Sequence, residues 1–258
     1  MDIRESYTDF NSKTWNKWSE ESDIWTVPIS HEKFIEAHQG KLEIYLTPCK
    51  PVPQDWFPPL NGSNLLGLAS GGGQQCPVFV AHRAKVTVFD YSEKQLEAEQ
   101  IVADRERYDI KLVKGDMSKK LPFEDNGFDI IFHPVSNSYV QNVEHVWNEC
   151  YRVLKPNGIL IAGFSNPMVF LFKNMLTGEF GREVVTKLPV DPLKDNTEEE
   201  LKRIAEADGI QFSHSLETQI GGQLKAGFNL TDLYEDFHNE GEPFAPTYIA
   251  TRAVKVLR

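Results

Sequence analysis

The chain has 258 residues, 40% of them hydrophobic, enough to bury one substantial core with additions and at most two small domains. Its formal net charge is −11, and no Lys/Arg cluster is longer than a pair, which argues against a nucleic-acid partner, because such partners are met by a basic face. Cys49, Cys76 and Cys150 form no C-x-x-C pair, no apolar run approaches the roughly 20 residues of a membrane span, and the N-terminus lacks the basic-then-apolar order of a signal peptide. These features exclude a disulfide framework and a structural zinc site, and predict a soluble cytoplasmic protein without a membrane partner.

Residues 1–40 carry Tyr7, Phe10, Trp15, Trp18, Trp25 and Phe34, a density that fits either a helical layer packed on the main body or an aromatic lid. Residues 41–46 are a possible strand, followed by a linker dense in proline (Pro48, Pro51, Pro53, Pro58, Pro59). The next stretch, Leu65-Leu66-Gly67-Leu68-Ala69-Ser70-Gly71-Gly72-Gly73, reads as a buried strand that breaks into glycines. A helix over 76–81 follows, and such a turn lets a ligand approach bare backbone and aims free N–H groups at it.

A regular rhythm then sets in. Residues 84–90 predict a strand, and Ser92 caps a helix with Gln95 as its capping-box partner, running to about Arg107. Residues 109–114 and 128–132 are further strands. Apolar groups at Val140, Val143, Val146, Trp147, Cys150 and Val153 have helical spacing over 139–154, and Lys155-Pro156-Asn157-Gly158 stops that helix before a strand over 159–164. This alternation predicts an α/β fold, a doubly wound, mostly parallel seven-stranded sheet with helices on both faces. Residues 165–215 break the rhythm with a hydrophobic segment (168–176), a possible strand (183–190), a charged helix (198–207) and a short strand (211–214). A helix over 216–227 and strands over 228–234 and 248–256 complete the sheet. The implied organisation is an N-terminal lid or extension (1–60), a core (61–164), a cap insertion (165–215) and a C-terminal return to the core (216–258).

Ligands of such sheets sit beyond the carboxyl ends of the strands. Asp90 lies 17 residues past Gly73, close to the spacing of a carboxylate that takes both hydroxyls of a ribose, though it can also serve as a local cap for the helix beginning near Ser92. Asp116, in Gly115-Asp116-Met117, can accept an adenine amino group with Met117 against the ring, or can belong to an ordinary turn. The glycine spacing matches a dinucleotide fingerprint in neither register: starting at Gly71 puts Cys76 at the third position, and starting at Gly67 puts Ala69 at the second. No Gly-Lys-Ser/Thr follows, so a Walker loop fails too.

Taken together, residues 65–73, 86–100, 114–132 and 151–164 resemble, in order and spacing, the four motifs of the class I S-adenosylmethionine-dependent methyltransferases, and look closest to the branch of small-molecule enzymes that includes ubiquinone- and menaquinone-type C-methyltransferases. The resemblance implies a Rossmann-like methyltransferase fold, S-adenosyl-L-methionine as cofactor, and transfer of its methyl group to a small-molecule acceptor by in-line displacement. It also implies backbone contacts to the cofactor from Ala69, Ser70, Gly71 and Gly73, with Asp90, Tyr91, Gly115, Asp116 and Met117 at its ribose and adenine. His133, ending the fourth strand, is a candidate base or backbone contact, and His214 a second catalytic candidate. Trp18, Trp25, Asn137, Tyr139 and Gln223 are candidates for the acceptor. Gly67 stands where the family carries an acid and Ala69 where it carries its first glycine, so either another group takes that acid's part or cofactor affinity is reduced. The competing readings are a non-catalytic nucleoside-binding protein and an NAD-dependent oxidoreductase.

Overall fold

The computed structural model describes residues 2–172, 183–238 and 245–256. Seven strands form one sheet in the order β3-β2-β1-β4-β5-β7-β6. They are β1 (Asn64–Leu68), β2 (Lys85–Asp90), β3 (Lys111–Lys114), β4 (Phe128–His133), β5 (Leu154–Ser165), β6 (Phe228–Asp236) and β7 (Tyr248–Lys255). The first five run parallel, and β7 lies antiparallel between β5 and β6. Because β1 and β4 are sealed on both faces, they read as near-continuous apolar runs. Leu65, Ile130, Phe132 and Ile161 point into one core, and Leu66, Ile131, Leu160 and Ala162 into the other.

The helices are α1 (Ile3–Glu20), α2 (His31–His38), α3 (Cys76–Ala81), α4 (Glu93–Glu106), α5 (Val143–Val153), α6 (Pro192–Asp195), α7 (Glu198–Ala207) and α8 (Gly222–Ala226). Each longer one starts where a side chain satisfies orphan amides. Ser92 Oγ accepts from Gln95 N at 3.2 Å for α4, Asn142 caps α5, and Thr197 and Glu200 form a reciprocal capping box for α7. In α4 the reciprocal half of the box comes from elsewhere: Asp90 Oδ1, not the Gln95 side chain, accepts from Ser92 N at 2.9 Å. No helix among the described residues is long and apolar enough to cross a membrane.

Several sequence expectations change. Residues 41–46 pair with nothing beyond a single bridge from Tyr45 to Pro51, because prolines on the following stretch cannot donate to a ladder. Residues 183–190 likewise contribute only the bridge from Val184 to Phe172. Residues 211–214 are extended but join no sheet, held by Phe212 N to Ser138 O (2.7 Å) and Ser213 N to Val190 O (3.1 Å). The expected hydrophobic segment over 168–176 is a short 3-10 turn, Pro167–Leu171, up to 172; its remainder lies outside the described residues. The helix over 216–227 begins as a π turn (Glu217–Gly221). The helix expected over 139–154 starts only at Val143, after a 3-10 turn at Asn137–Tyr139, and β5 begins before its stop signal, which forms an irregularity in the strand with Asn157 at φ +64°.

The N-terminal 60 residues do not act as one lid. Phe34, Ile44, Leu46, Trp56 and Leu60 are buried in the core on one face of the sheet. Helix α1 and the turn after it rise over the strand ends, joined at the cavity by Lys33 and by residues 45–48, and Ile3 of α1 packs with Leu193, Leu201, Ala205, Ile210 and Phe212 in a separate small core. Lid and cap insertion are therefore one layer. Asn11 sews it together, donating to Ile210 O (3.1 Å) and accepting from Ile210 N (2.6 Å), and Thr14 Oγ1 donates to Ala205 O at 2.6 Å.

Candidate functional site

Between this layer and the carboxyl ends of the strands lies a cavity of about 990 Å³. Its floor is built from the chain just beyond each strand: Ala69, Ser70 and Gly71 after β1, Asp90 and Tyr91 at β2, and Gly115, Asp116 and Met117 after β3. Pro134, Ser136 and Tyr139 continue it beyond β4, and Ser165 beyond β5. Trp15, Trp18 and Trp25 form the roof. Trp15 meets Trp18 edge to face at 5.1 Å and Tyr139 at 5.6 Å, linking roof to floor through aromatic contacts.

The glycine turn is organised differently from the sequence expectation. Its three glycine amides are all consumed within the protein. Gly71 N donates to Asp90 Oδ2 at 3.0 Å, Gly72 N to the backbone oxygen of Gln95 at 2.9 Å, and Gly73 N to Glu99 Oε1 at 2.8 Å. A phosphate would find no free glycine amide here. What the turn offers is clearance. A Cβ on Gly71 would stand 3.0 Å from Asp90 Oδ2 and 2.7 Å from Gln95 Cβ, so a side chain there would push the carboxylate out of place.

Asp90 holds the glycine turn and the start of α4 together from the rim of the cavity. Each carboxylate oxygen accepts one backbone N–H, from Gly71 and from Ser92, and each retains lone-pair capacity toward the cavity. Burial raises its pKa, opposed by the amides of Ser92, Gly71 and Tyr91. Asp116 accepts from Ser118 N at 2.8 Å through Oδ1, and Met117 is buried beside it. Tyr91 is tied to the roof: its hydroxyl donates to Asp9 Oδ1, a bond that with burial pushes its pKa up to about 12, and its carbonyl accepts from Ser12 Oγ at 2.8 Å. Gly73 itself supports the turn from behind and does not line the cavity.

The structure does not bring His133, His214, Asn137 or Gln223 to the cavity. His133 is fully buried beneath the floor, with Nδ1 2.9 Å from Leu68 O and Nε2 2.7 Å from the Asn137 side-chain oxygen. Burial lowers its pKa, opposed by the contacts to Leu68 O and the Asn137 side chain. Both ring nitrogens are engaged within the protein, and His133 does not line the cavity. Asn137 passes the network to Gln219 at 3.1 Å, and Gln223 binds Gln219 O and Thr251. His214 Nε2 lies 2.9 Å from Val140 O and 3.1 Å from Asn137 O, and burial lowers its pKa. All four hold the loop after β4 in shape. The short turn spacing of His133 and Asn137 looked like a constellation because it is one, but a structural one.

Sequence reasoning missed Trp15, Glu99, His238 and Tyr248. Trp15 was visible as one of three clustered tryptophans. Glu99 sits one turn after Gln95 and one before Val102, on the inward stripe of α4, which was the available signal. His238 and Tyr248 line the cavity from beyond β6 and the start of β7, their Nδ1 and hydroxyl 3.3 Å apart. Only the antiparallel order β5-β7-β6 delivers them there.

The stretch over 151–164 works at the opposite end of the sheet. Arg152 binds Glu149 at 2.6 Å and Asp125 at 2.8 Å, and Lys155 binds Asp129 at 2.8 Å.

Comparison with known proteins agrees with this geometry. Residues 66–162 match the model of the methyltransferase domain family. The chain is 46% identical over 251 residues to the uncharacterized methyltransferase YbaJ of Bacillus subtilis, covering 95% of this chain and 97% of that protein. It is 36% identical over 128 residues to the ubiquinone/menaquinone biosynthesis C-methyltransferase UbiE of Cereibacter sphaeroides, covering 46% of this chain and 51% of that one. The S-adenosylmethionine-dependent methyltransferase structure from Mesorhizobium loti shares the fold with a TM-score of 0.61 at 17% identity, covering 78% of this chain and 94% of that chain.

Proposed function

This chain belongs to the class I S-adenosylmethionine-dependent methyltransferases, and from that premise we propose that its cavity holds the cofactor and a small-molecule methyl acceptor together, beneath the layer of α1 and α7. The observation that carries this reading is the cavity itself. At about 990 Å³ it stands at the upper end of the range for one drug-sized ligand, so two smaller molecules can share it.

The residues present fit the cofactor. Asp90 is assigned to the ribose hydroxyls, each of its oxygens having capacity for one more donor. Asp116 is assigned to the adenine amino group, Met117 and Tyr91 to the faces of the base and sugar, and the backbone at Ala69, Ser70 and Gly71 to the methionine portion. A turn whose three glycine amides are engaged within the protein suits a ligand that is a sulfonium cation without phosphate better than a pyrophosphate-bearing dinucleotide. S-adenosylmethionine supplies an activated methyl group on a good leaving group; the chain's residues position, enclose and desolvate. Trp15, Trp18, Trp25 and Tyr139 present flat, largely apolar surface to the acceptor and keep water from the transfer. The ubiquinone/menaquinone relative supports a small-molecule acceptor over a macromolecule, as does the overall negative charge.

Thermal shift with S-adenosylmethionine, S-adenosylhomocysteine and NAD(H) tests the cofactor assignment, with stabilisation expected from the first two alone. Labelled methyl transfer into a small-metabolite extract tests turnover. Binding without transfer to any fraction would leave a nucleoside-binding protein, and label in nucleic acid or protein would overturn the small-molecule acceptor.

A further inference from the structure

We propose that Glu99 is the positioning residue of the glycine turn, an inner carboxyl that sets where Gly73 and the cofactor-facing residues before it stand. The inference rests on the cofactor reading above.

Strand β1 has no acid from which to organise the turn. Gly67 stands in its middle, and the space a side chain would take is already filled: a Cβ there would lie 2.6 Å from Cys76 Sγ. The thiol reaches back from α3 toward Ser70, 3.6 Å from its hydroxyl and its carbonyl. Shaping the turn therefore falls to the β2–α4 unit, which takes all three glycine amides through Asp90, Gln95 and Glu99. Asp90 also faces the cavity and the Gln95 contact is backbone to backbone. Glu99 differs from both. It is 0% exposed and does not line the cavity, and its single bond is to Gly73 N at 2.8 Å.

Such a carboxyl is expensive to bury unless it works. Its second oxygen has no partner, and neither has the buried Tyr108 hydroxyl. Burial, with Asp90 nearby, pushes its pKa up to about 8, so the group is carried mainly as a neutral acid near neutral pH. What the turn uses is then the acceptor oxygen at a fixed distance rather than the charge. An amide offers the same oxygen. Gly73 has φ +69° and its carbonyl accepts from Ile29 N at 2.9 Å, so a shift of Gly73 moves both the turn and the chain leading from the tryptophan roof.

The test compares Glu99→Gln and Glu99→Leu in the full chain. In the ligand-free protein, amide hydrogen exchange across residues 71–74 should keep wild-type protection in Glu99→Gln and fall at least tenfold in Glu99→Leu, which fills the volume but accepts no hydrogen bond. By calorimetry, S-adenosylhomocysteine should bind Glu99→Gln within about threefold of wild type and Glu99→Leu at least tenfold more weakly. Turnover at saturating cofactor should change little in either. Unchanged exchange and affinity in Glu99→Leu would overturn the proposal, as would equal losses in both variants. If the wild type binds no S-adenosylhomocysteine, the cofactor reading fails, while the exchange experiment still decides the role of Glu99. Should Glu99→Leu not fold, Glu99→Met and Glu99→Gln provide the same contrast.

Discussion

Asp90 joins two elements and one ligand through a single carboxylate. Replacing it with alanine removes two charge-assisted bonds to the proposed ribose and also frees the amides of Gly71 and Ser92. Hydrogen bonds to charged groups are worth about 1.5–3 kcal/mol each, so Asp90→Ala is expected to weaken S-adenosylhomocysteine by two orders of magnitude or more in calorimetry. The same variant should melt lower, because the Ser92 amide at the start of α4 loses its acceptor. Unchanged affinity would remove Asp90 from the site. Gly67 and Cys76 form a second residue-scale pair. Gly67→Ala forces its methyl onto the thiol and is expected to cost about 1–3 kcal/mol in denaturant unfolding. Cys76→Ala should relieve part of that cost, giving a coupling of about 1 kcal/mol in a double-mutant cycle; strict additivity would show that the clash is absorbed elsewhere.

At the scale of elements, α1 decides what the cavity can admit. It is stitched to the floor by Asp9 to Tyr91, by Ser12 to the Tyr91 carbonyl, and by Asn16 Oδ1, which accepts from Ser92 Oγ at 2.7 Å and Lys94 N at 3.2 Å. Trp15 packs on Tyr139 over the chain beyond β4, which the proposed arrangement assigns to the acceptor. Trp15→Ala should raise the acceptor KM about tenfold while shifting the cofactor KM less than threefold in steady-state kinetics; the reverse pattern would place Trp15 over the cofactor. The parallel strands and the capped helices were legible because apolar runs and Ser/Thr/Asn caps are local signals. Asp90, Asp116 and the glycine turn were legible because they fall at strand ends. The destination of the turn's amides was not, since it depends on which face of α4 meets the turn across 26 positions of sequence between Gly73 and Glu99. His133 misled for a related reason. Its position at a strand end is that of a site residue, but the side chain turns inward to Leu68, a choice that pattern and spacing do not record.

For the molecule as a whole, stability divides between the sheet with its two cores and the small layer above it. Asn11 is the polar joint of that layer, and losing its side chain leaves the buried N–H and C=O of Ile210 without partners. At about 1–3 kcal/mol per unsatisfied group, Asn11→Ala should loosen α1 and α7 before the sheet, seen as faster limited proteolysis at the N-terminus with little change in the main unfolding transition.

Glu99 adds a pH dependence of its own to global stability. Its carboxyl titrates near 4.5 when exposed and at about 8 in the fold, so its folded-state pKa is raised. The stability associated with its protonated form is then fully present below about 4.5 and is lost as pH rises through about 8. Burial and the neighbouring Asp90 raise that pKa against the Gly73 amide, and the Glu99 carboxyl in turn helps push the Cys76 thiol and the Tyr108 hydroxyl up, so both stay neutral across this range. An amide at the same position has no such term. Denaturant unfolding of wild type and Glu99→Gln should therefore diverge steadily between about pH 5 and 8, with wild type losing stability relative to the variant as pH increases, and the two curves should run parallel above about 8, where the carboxyl is ionised in both states. Parallel curves throughout that window would mean that Glu99 is ionised in the fold at all these pH values and holds Gly73 as a carboxylate.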